Sequence, residues 1–115
     1  MVRAIEAVIA TEKVSAVNAA LKKVGVGGVT CCDARGRGAG GRAQVTSGRG
    51  TEYYTPEFHS RCVLRTVVDD SKVNAAVDAI INAASTGSPG DGKIFISSIE
   101  DAVDIGSKKR GSEAV

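Results

Sequence analysis

A chain of 115 residues, 43 % of them apolar, is long enough for one domain with a real core. Its formal charge of +2 is nearly balanced and its acids and bases are interleaved, so no basic face points to nucleic acid and no polybasic run to anionic lipid. No apolar run approaches the ~18–20 residues of a membrane span, and MVRAIEAVIATEK lacks a signal-peptide core with a small-residue cleavage site; the expected setting is the cytoplasm.

Residues 2–9, VRAIEAVI, are apolar on both parities, which predicts a first strand covered on both sides. Thr11 is placed to cap the next helix, in which Val14, Val17, Ala20, Leu21 and Val24 recur at the helical period until Gly25 stops it; the expected helix is 12–24. Residues 28–35 predict a second strand, and from Gly36 to about Glu57 nothing is periodic. The run 60–68, SRCVLRTVV, predicts a third strand. Asp69 or Asp70 then caps a helix carrying Val73, Val77, Ile80, Ile81 and Ala84 on one face. TGSPGDG at 86–92 breaks that helix, KIFISSI at 93–99 predicts a fourth strand, and 100–115 form a short polar tail with the basic run Lys108-Lys109-Arg110.

The order is β-α-β twice, and EKVSAVNAAL at 12–21 resembles SKVNAAVDAI at 71–80. Two such units predict an α+β, ferredoxin-like double βαβ sandwich with both helices on one face of the sheet. The other face then needs cover, because the first and fourth strands are apolar on both sides, and self-association is the simplest cover.

Cys31, Cys32 and Cys62 have no metal-type spacing, and neighbouring cysteines on a strand point to opposite faces, so they read as reduced structural thiols. His59 is the only histidine, which argues against a zinc site. No nucleophile–base pair or paired carboxylates suggest turnover, so no catalytic residue is assigned. A small acyl-phosphate hydrolase would need Arg and Asn beside a phosphate nest, and an RNA-binding sheet would need aromatics where the strands carry only Phe95.

Two segments carry the functional signal. GRGAGGRAQVTSGRGTEYYTPEF cannot bury itself, and a stretch of roughly 20 such residues in a compact domain is expected to be a mobile loop ordered by a ligand or partner. Its Arg37, Arg42 and Arg49 sit on a glycine-rich backbone suited to reaching into a cavity or channel, and Tyr53 and Tyr54 lie near its far end. The second segment, GDGKIFIS at 90–97, places two glycines and a lysine before a strand; glycine-freed N–H groups with a neighbouring ammonium suit a phosphate. A plain tight turn with a solvent lysine is the alternative, and the spacing is not that of a Walker A loop.

TGSPGDGKIFI at 86–96 resembles the TGxxGDGKIFV signature of the nitrogen-regulatory P-II proteins, and IEAVIATEKVSAVNAALKKVGVGGVT at 5–30, Gly36, Gly38, RGTEY at 49–53 and IEDAV at 99–103 match in register. The chain is thereby identified as a divergent member of that family over about its whole length, as a single domain 1–115 with a partner-binding loop at 36–58 and a tail at 106–115. The resemblance implies a homotrimer with nucleotide clefts between subunits. Val8, Gly28, Val29 and Thr30 would surround adenine and ribose, while Gly36, Arg37 and Gly38 at the loop base, with Gly90, Asp91, Gly92 and Lys93 from the facing subunit, would hold the phosphates of ATP, ADP or AMP. The loop, with Arg42, Arg49, Tyr53 and Tyr54, would dock on an ammonium transporter or a nitrogen-assimilation enzyme such as glutamine synthetase; Tyr53 matches the tyrosine uridylylated in some relatives.

Three departures bear on mechanism. Gly40 or Gly41 stands where relatives use a glutamine to hold magnesium and 2-oxoglutarate, which leaves both ligands open. Arg61 or Ser60 replaces a metabolite-binding lysine, Arg61 being its electrostatic equivalent. Asp104 and Gly106 occupy the places of two phosphate-binding arginines, with Lys108, Lys109 or Arg110 as substitutes. These departures support an alternative, a P-II-like carbon or adenylate-state sensor for ADP, AMP or bicarbonate that does not respond to 2-oxoglutarate.

Overall fold

The computed structural model describes residues 1–39 and 57–115, together with the backbone of two short strands between them, β3 (Val45–Thr46) and β4 (Tyr53–Tyr54). Around them run β1 (Val2–Ala10), α1 (Val14–Lys23), β2 (Thr30–Gly36), β5 (His59–Asp69), α2 (Val73–Ala84) and β6 (Gly92–Ile99). The four long strands form one antiparallel sheet in the order β2-β5-β1-β6, the ferredoxin-like arrangement expected from two βαβ units.

Side-chain alternation divides this sheet into two unlike faces. Ile5, Ala7 and Ile9 of β1 and Cys62, Leu64 and Val68 of β5 point toward the helices, where they bury against Val17 and Leu21 of α1 and Ala76, Ile80 and Ala84 of α2. Thr66 is the one polar residue in that row, 3 % exposed, and its hydroxyl donates to the Gly28 carbonyl at 2.6 Å. On the opposite face the register aligns Glu6 with Arg65 and Phe95, and Val8 with Val63 and Lys93. No helix of the described residues covers this face, and Phe95 is 56 % exposed.

The helices start differently from one another. Thr11 opens a 3-10 turn, Thr11–Lys13, and no side chain caps it, so the expected Thr11 cap is absent and α1 begins only at Val14. Asp69 does cap: its carboxylate accepts from the Ser71 amide at 3.1 Å and hydroxyl at 2.6 Å, leading into the 3-10 turn Asp70–Lys72 and α2. Helix α1 ends in a Schellman pattern, with Val26 N bonded to Leu21 O, Gly25 N to Lys22 O and Gly25 at φ +83°. Lys72 donates to the Gly25 carbonyl at 2.9 Å, joining the end of α1 to the start of α2.

Two segments are more regular than their composition suggests. Within the expected loop, β3 pairs with β4, Val45 opposite Tyr54 and Thr46 opposite Tyr53. Arg42 and Arg49, and most of the expected mobile stretch, lie outside the described residues. The C-terminal segment folds back as a turn: Val103 bridges Arg110, and Arg110 Nη1 meets Asp101 Oδ2 at 2.6 Å. Ser112 then donates to Asp69, fastening the segment beside the start of α2.

Candidate functional site

The glycine turn ahead of β6 is built from its own side chains. Asp91 accepts hydrogen bonds from the Thr86 hydroxyl at 2.5 Å, the Thr86 amide at 2.8 Å and the Gly87 amide at 3.1 Å. These contacts, the hydroxyl first and the Thr86 amide next, hold its carboxyl below the ordinary value of 3.8. The carboxylate is thus committed to closing the turn.

Because this pKa is depressed on folding, the stabilisation is present above pH 3.8 and is lost as pH falls through the lower folded value. Amide NMR resonances of Thr86 and Gly87 should therefore hold their positions from neutrality down to about pH 4 and shift only below it. Asp91→Asn should abolish that transition.

Gly90 and Gly92 adopt φ +92° and +120°, where side-chain-bearing residues are strained. At Gly92 space forbids a side chain as well: a Cβ would lie 2.0 Å from the Val8 carbonyl oxygen. That contact presses the turn against β1 and sets Lys93 directly opposite Val8.

Arg61 joins the turn to the loop base. It lies opposite Ala34 on β2 and Ala10 on β1, its Cγ 3.4 Å from where a Cβ of Gly36 would stand and its Nη2 3.6 Å from that of Gly90. Beside it a concavity of about 580 Å³ is lined by Thr11, Asp33, Ala34, Arg35, Ser60 and Arg61. Arg37, the next residue along the loop base, pairs with Glu57 at 3.3 Å. One chain therefore brings Gly36, Arg61, Gly90, Gly92, Lys93 and Val8 together, whereas the resemblance had drawn the loop base and the glycine turn from facing subunits.

Gly28, Val29 and Thr30 lie elsewhere. Thr30 and Gly36 are opposite ends of the seven-residue β2, ~20 Å apart for an extended strand. The Gly28 end is held by Thr66 and borders a cleft of about 610 Å³ lined by Gly25 to Gly28, Lys72 and Ser112, Ala114 and Val115 of the C-terminal segment. The basic run is at this end too, since Ile99 at the end of β6 pairs with Val2 while Gly92 pairs with Ile9. Asp104 accepts from the Ser107 amide and hydroxyl, both at 2.8 Å, which lowers its pKa and makes it the closing residue of the C-terminal turn.

Sequence reasoning missed Thr66, Thr86 and the committed carboxylate of Asp91. A signal was available for Thr66, the one hydroxyl in the otherwise apolar alternation Cys62, Leu64, Thr66, Val68. Among the described residues no group of three or more His, Cys, Asp or Glu side chains could hold a metal ion, and no helix is long and apolar enough to cross a membrane.

A ferredoxin-like α+β unit whose sheet has one face without a covering helix, with a glycine turn and the cations Arg61 and Lys93 at one end of that sheet, defines a structural class. Comparison with known proteins specifies the class: the family model described as nitrogen regulatory protein P-II matches residues 2–109, and this chain belongs to the P-II family. A nitrogen regulatory protein P-II from Nostoc punctiforme is 42 % identical over 111 residues, covering 96 % of this chain and 97 % of the relative. The nitrogen regulatory protein GlnK2 of Haloferax mediterranei is 37 % identical over 114 residues, covering 99 % and 91 %. Among solved structures, GlnK of B. subtilis superposes with a TM-score of 0.78 at 26 % identity, covering 99 % of this chain and 98 % of that one. A B. subtilis GlnK–ATP complex has the same TM-score, 0.78, at 24 % identity, covering 99 % and 97 %. The chain is a regulatory protein of nitrogen metabolism and not an enzyme.

Proposed function

We propose that this chain is an adenine-nucleotide-binding signalling protein that works as a homotrimer in the cytoplasm, its nucleotide held between subunits and its 36–58 loop docking on an ammonium transporter or a nitrogen-assimilation enzyme such as glutamine synthetase. One observation carries the reading: the candidate phosphate residues and the candidate adenine residues occupy opposite ends of one strand, ~20 Å apart, so neither end is a complete site within a single chain. Gly36, Gly38, Arg61, Gly90, Gly92 and Lys93 of one copy would hold phosphate, with Val8 beside Lys93. Gly28, Val29 and Thr30 of its neighbour would supply the adenine side. The same packing would cover the bare sheet face that carries Val63 and Phe95. The ATP complex of a similar fold, B. subtilis GlnK, supports adenine nucleotide as the ligand class.

Sedimentation equilibrium should give a trimer at micromolar concentration, and a monomer would remove both the cover and the composite site. Limited trypsin digestion of the free protein should cut first at Arg37, Arg42 or Arg49; a loop as resistant as the helices would contradict its role as a segment ordered by partners. Calorimetric titration of ATP, ADP and AMP, each with and without magnesium and 2-oxoglutarate, tests the ligand directly.

The second reading, an adenylate- or bicarbonate-responsive carbon sensor indifferent to 2-oxoglutarate, is favoured by Asp104. An acid engaged with Ser107 stands where relatives place a phosphate-binding arginine, and it adds no charge to hold a third phosphate. Tighter binding of AMP or ADP than of ATP, with no change on adding 2-oxoglutarate, would select this reading over the first.

A further inference from the structure

Cys31 and Cys62 are 31 positions apart in sequence, yet their Sγ atoms approach to 2.8 Å. The register explains the meeting: Cys31 pairs with Leu64 and Cys62 with Asp33, which makes the two cysteines diagonal neighbours on one face of β2 and β5. The right-handed twist of a sheet shortens one of its two diagonals. The sulfurs are about 0.8 Å farther apart than the ~2.05 Å of a disulfide bond, a gap that small side-chain rotations close. Cys32 pairs with Val63 and faces the opposite side of the sheet, out of reach of both.

Access is divided between the two thiols. Cys31 is exposed on an edge strand, whereas Cys62 is 2 % exposed beneath the helices. Burial, and then the hydrogen bond with Cys31, push the Cys62 thiol up to about 11, so it waits as the protonated partner. Among the described residues no group of three or more His, Cys, Asp or Glu side chains that could hold a metal ion includes the pair.

We propose that Cys31 and Cys62 are a modification site: a dithiol that closes to an intrachain disulfide between β2 and β5 on meeting a low-molecular-weight disulfide. The Cys31 thiolate attacks one sulfur of RSSR, breaking its S–S bond and releasing RS⁻. The Cys62 sulfur then attacks Cys31 Sγ, its proton passes to solvent, and the second RS⁻ leaves. Two protein thiols are oxidised while one small disulfide is reduced to two small thiols. The new bond ties edge strand β2, which runs from Thr30 to the loop base at Gly36, to β5 beside Arg61.

The test uses the intact protein, oxidised glutathione in excess and thiol titration after denaturation. Of three cysteines, two should be consumed and one left, with a mass loss of two hydrogens that a dithiol reductant reverses. Cys32→Ser should close like the wild type, and Cys31→Ser should form no intrachain link. Peptide mapping should join residues 24–35 to 62–65 within a single chain. Persistence of all three thiols, glutathione adducts without an internal bond, a link through Cys32, or a link between chains would each overturn the proposal. Unchanged far-ultraviolet circular dichroism of Cys31→Ser, whose exposed side chain carries little packing, separates lost chemistry from lost fold.

Discussion

Gly92→Ala should be the most damaging single-methyl change in the described part of the chain. The added carbon would stand 2.0 Å from the Val8 carbonyl oxygen, 3.1 Å from its carbon and 3.3 Å from Ile9 Cα, all backbone atoms that no rotamer change can move aside. The φ of +120° adds conformational strain for any residue with a Cβ. Relief requires the start of β6 to part from β1, which breaks the Val8–Lys93 and Ile9–Gly92 pairing and displaces Lys93. Overpacking and backbone strain each cost roughly 1–3 kcal/mol, so a loss of about 2–6 kcal/mol in urea unfolding is expected. Gly87→Ala is the control: its φ of +79° is also positive, but nothing lies within 4 Å of the added carbon. It should lose only about 1–2 kcal/mol. Equal losses for the two variants would show that the contact at Val8 has no consequence.

Lys93→Ala should weaken ATP binding by roughly ten- to a hundredfold, and Arg61→Ala by a similar factor, because a charge-assisted contact contributes ~1.5–3 kcal/mol and each ~1.4 kcal/mol is tenfold in affinity. Both cations belong to the glycine-turn end of the sheet. ADP should lose less than ATP. The Lys108→Ala/Lys109→Ala pair provides the contrast, since these lysines sit on the turn closed by Asp104 while Arg110 is engaged by Asp101. A larger loss from the lysine pair than from Lys93→Ala would transfer phosphate recognition to the C-terminal turn of a neighbouring copy. Wild-type affinity in all three variants would mean that the glycine turn is only a turn. Calorimetry at one fixed ionic strength decides among these outcomes, because contacts with exposed phosphate weaken with added salt.

Individual residues show how far sequence reading reached. Val17 and Leu21, spaced for one helical face, are buried where the pattern put them, and Ile5, Ala7 and Ile9 alternate into the core as a strand requires. Asp69 capped as expected, because an N-cap is a contact between near neighbours. Thr11 did not, since it lies inside the 3-10 turn Thr11–Lys13, whose N-cap position falls to Ala10, whereas Asp69 is itself the N-cap residue of its turn. The second strand runs Thr30–Gly36 rather than 28–35, because the Gly28 carbonyl is taken by Thr66 before the ladder begins. The C-terminal segment reads as polar tail in one dimension, but Arg110 finds Asp101 and Ser112 finds Asp69, the second contact spanning 43 positions.

Local structure was therefore determined by the sequence alone: where the four long strands and the two helices lie, where glycine must break them, and that GDGK makes a turn. Those properties depend on residues within a few positions of one another, and a period or a missing Cβ expresses them directly. Only the tertiary structure decided which distant groups share an end of the sheet. It set Arg61 between Gly36 and Gly90, turned the Asp91 carboxylate inward, separated Gly28 from the glycine turn by the length of β2, and brought Cys31 to Cys62. Each of these follows from strand order and register, and a slip of one residue in the pairing of β2 with β5 would move Cys31, and every other side chain of that strand, to the opposite face.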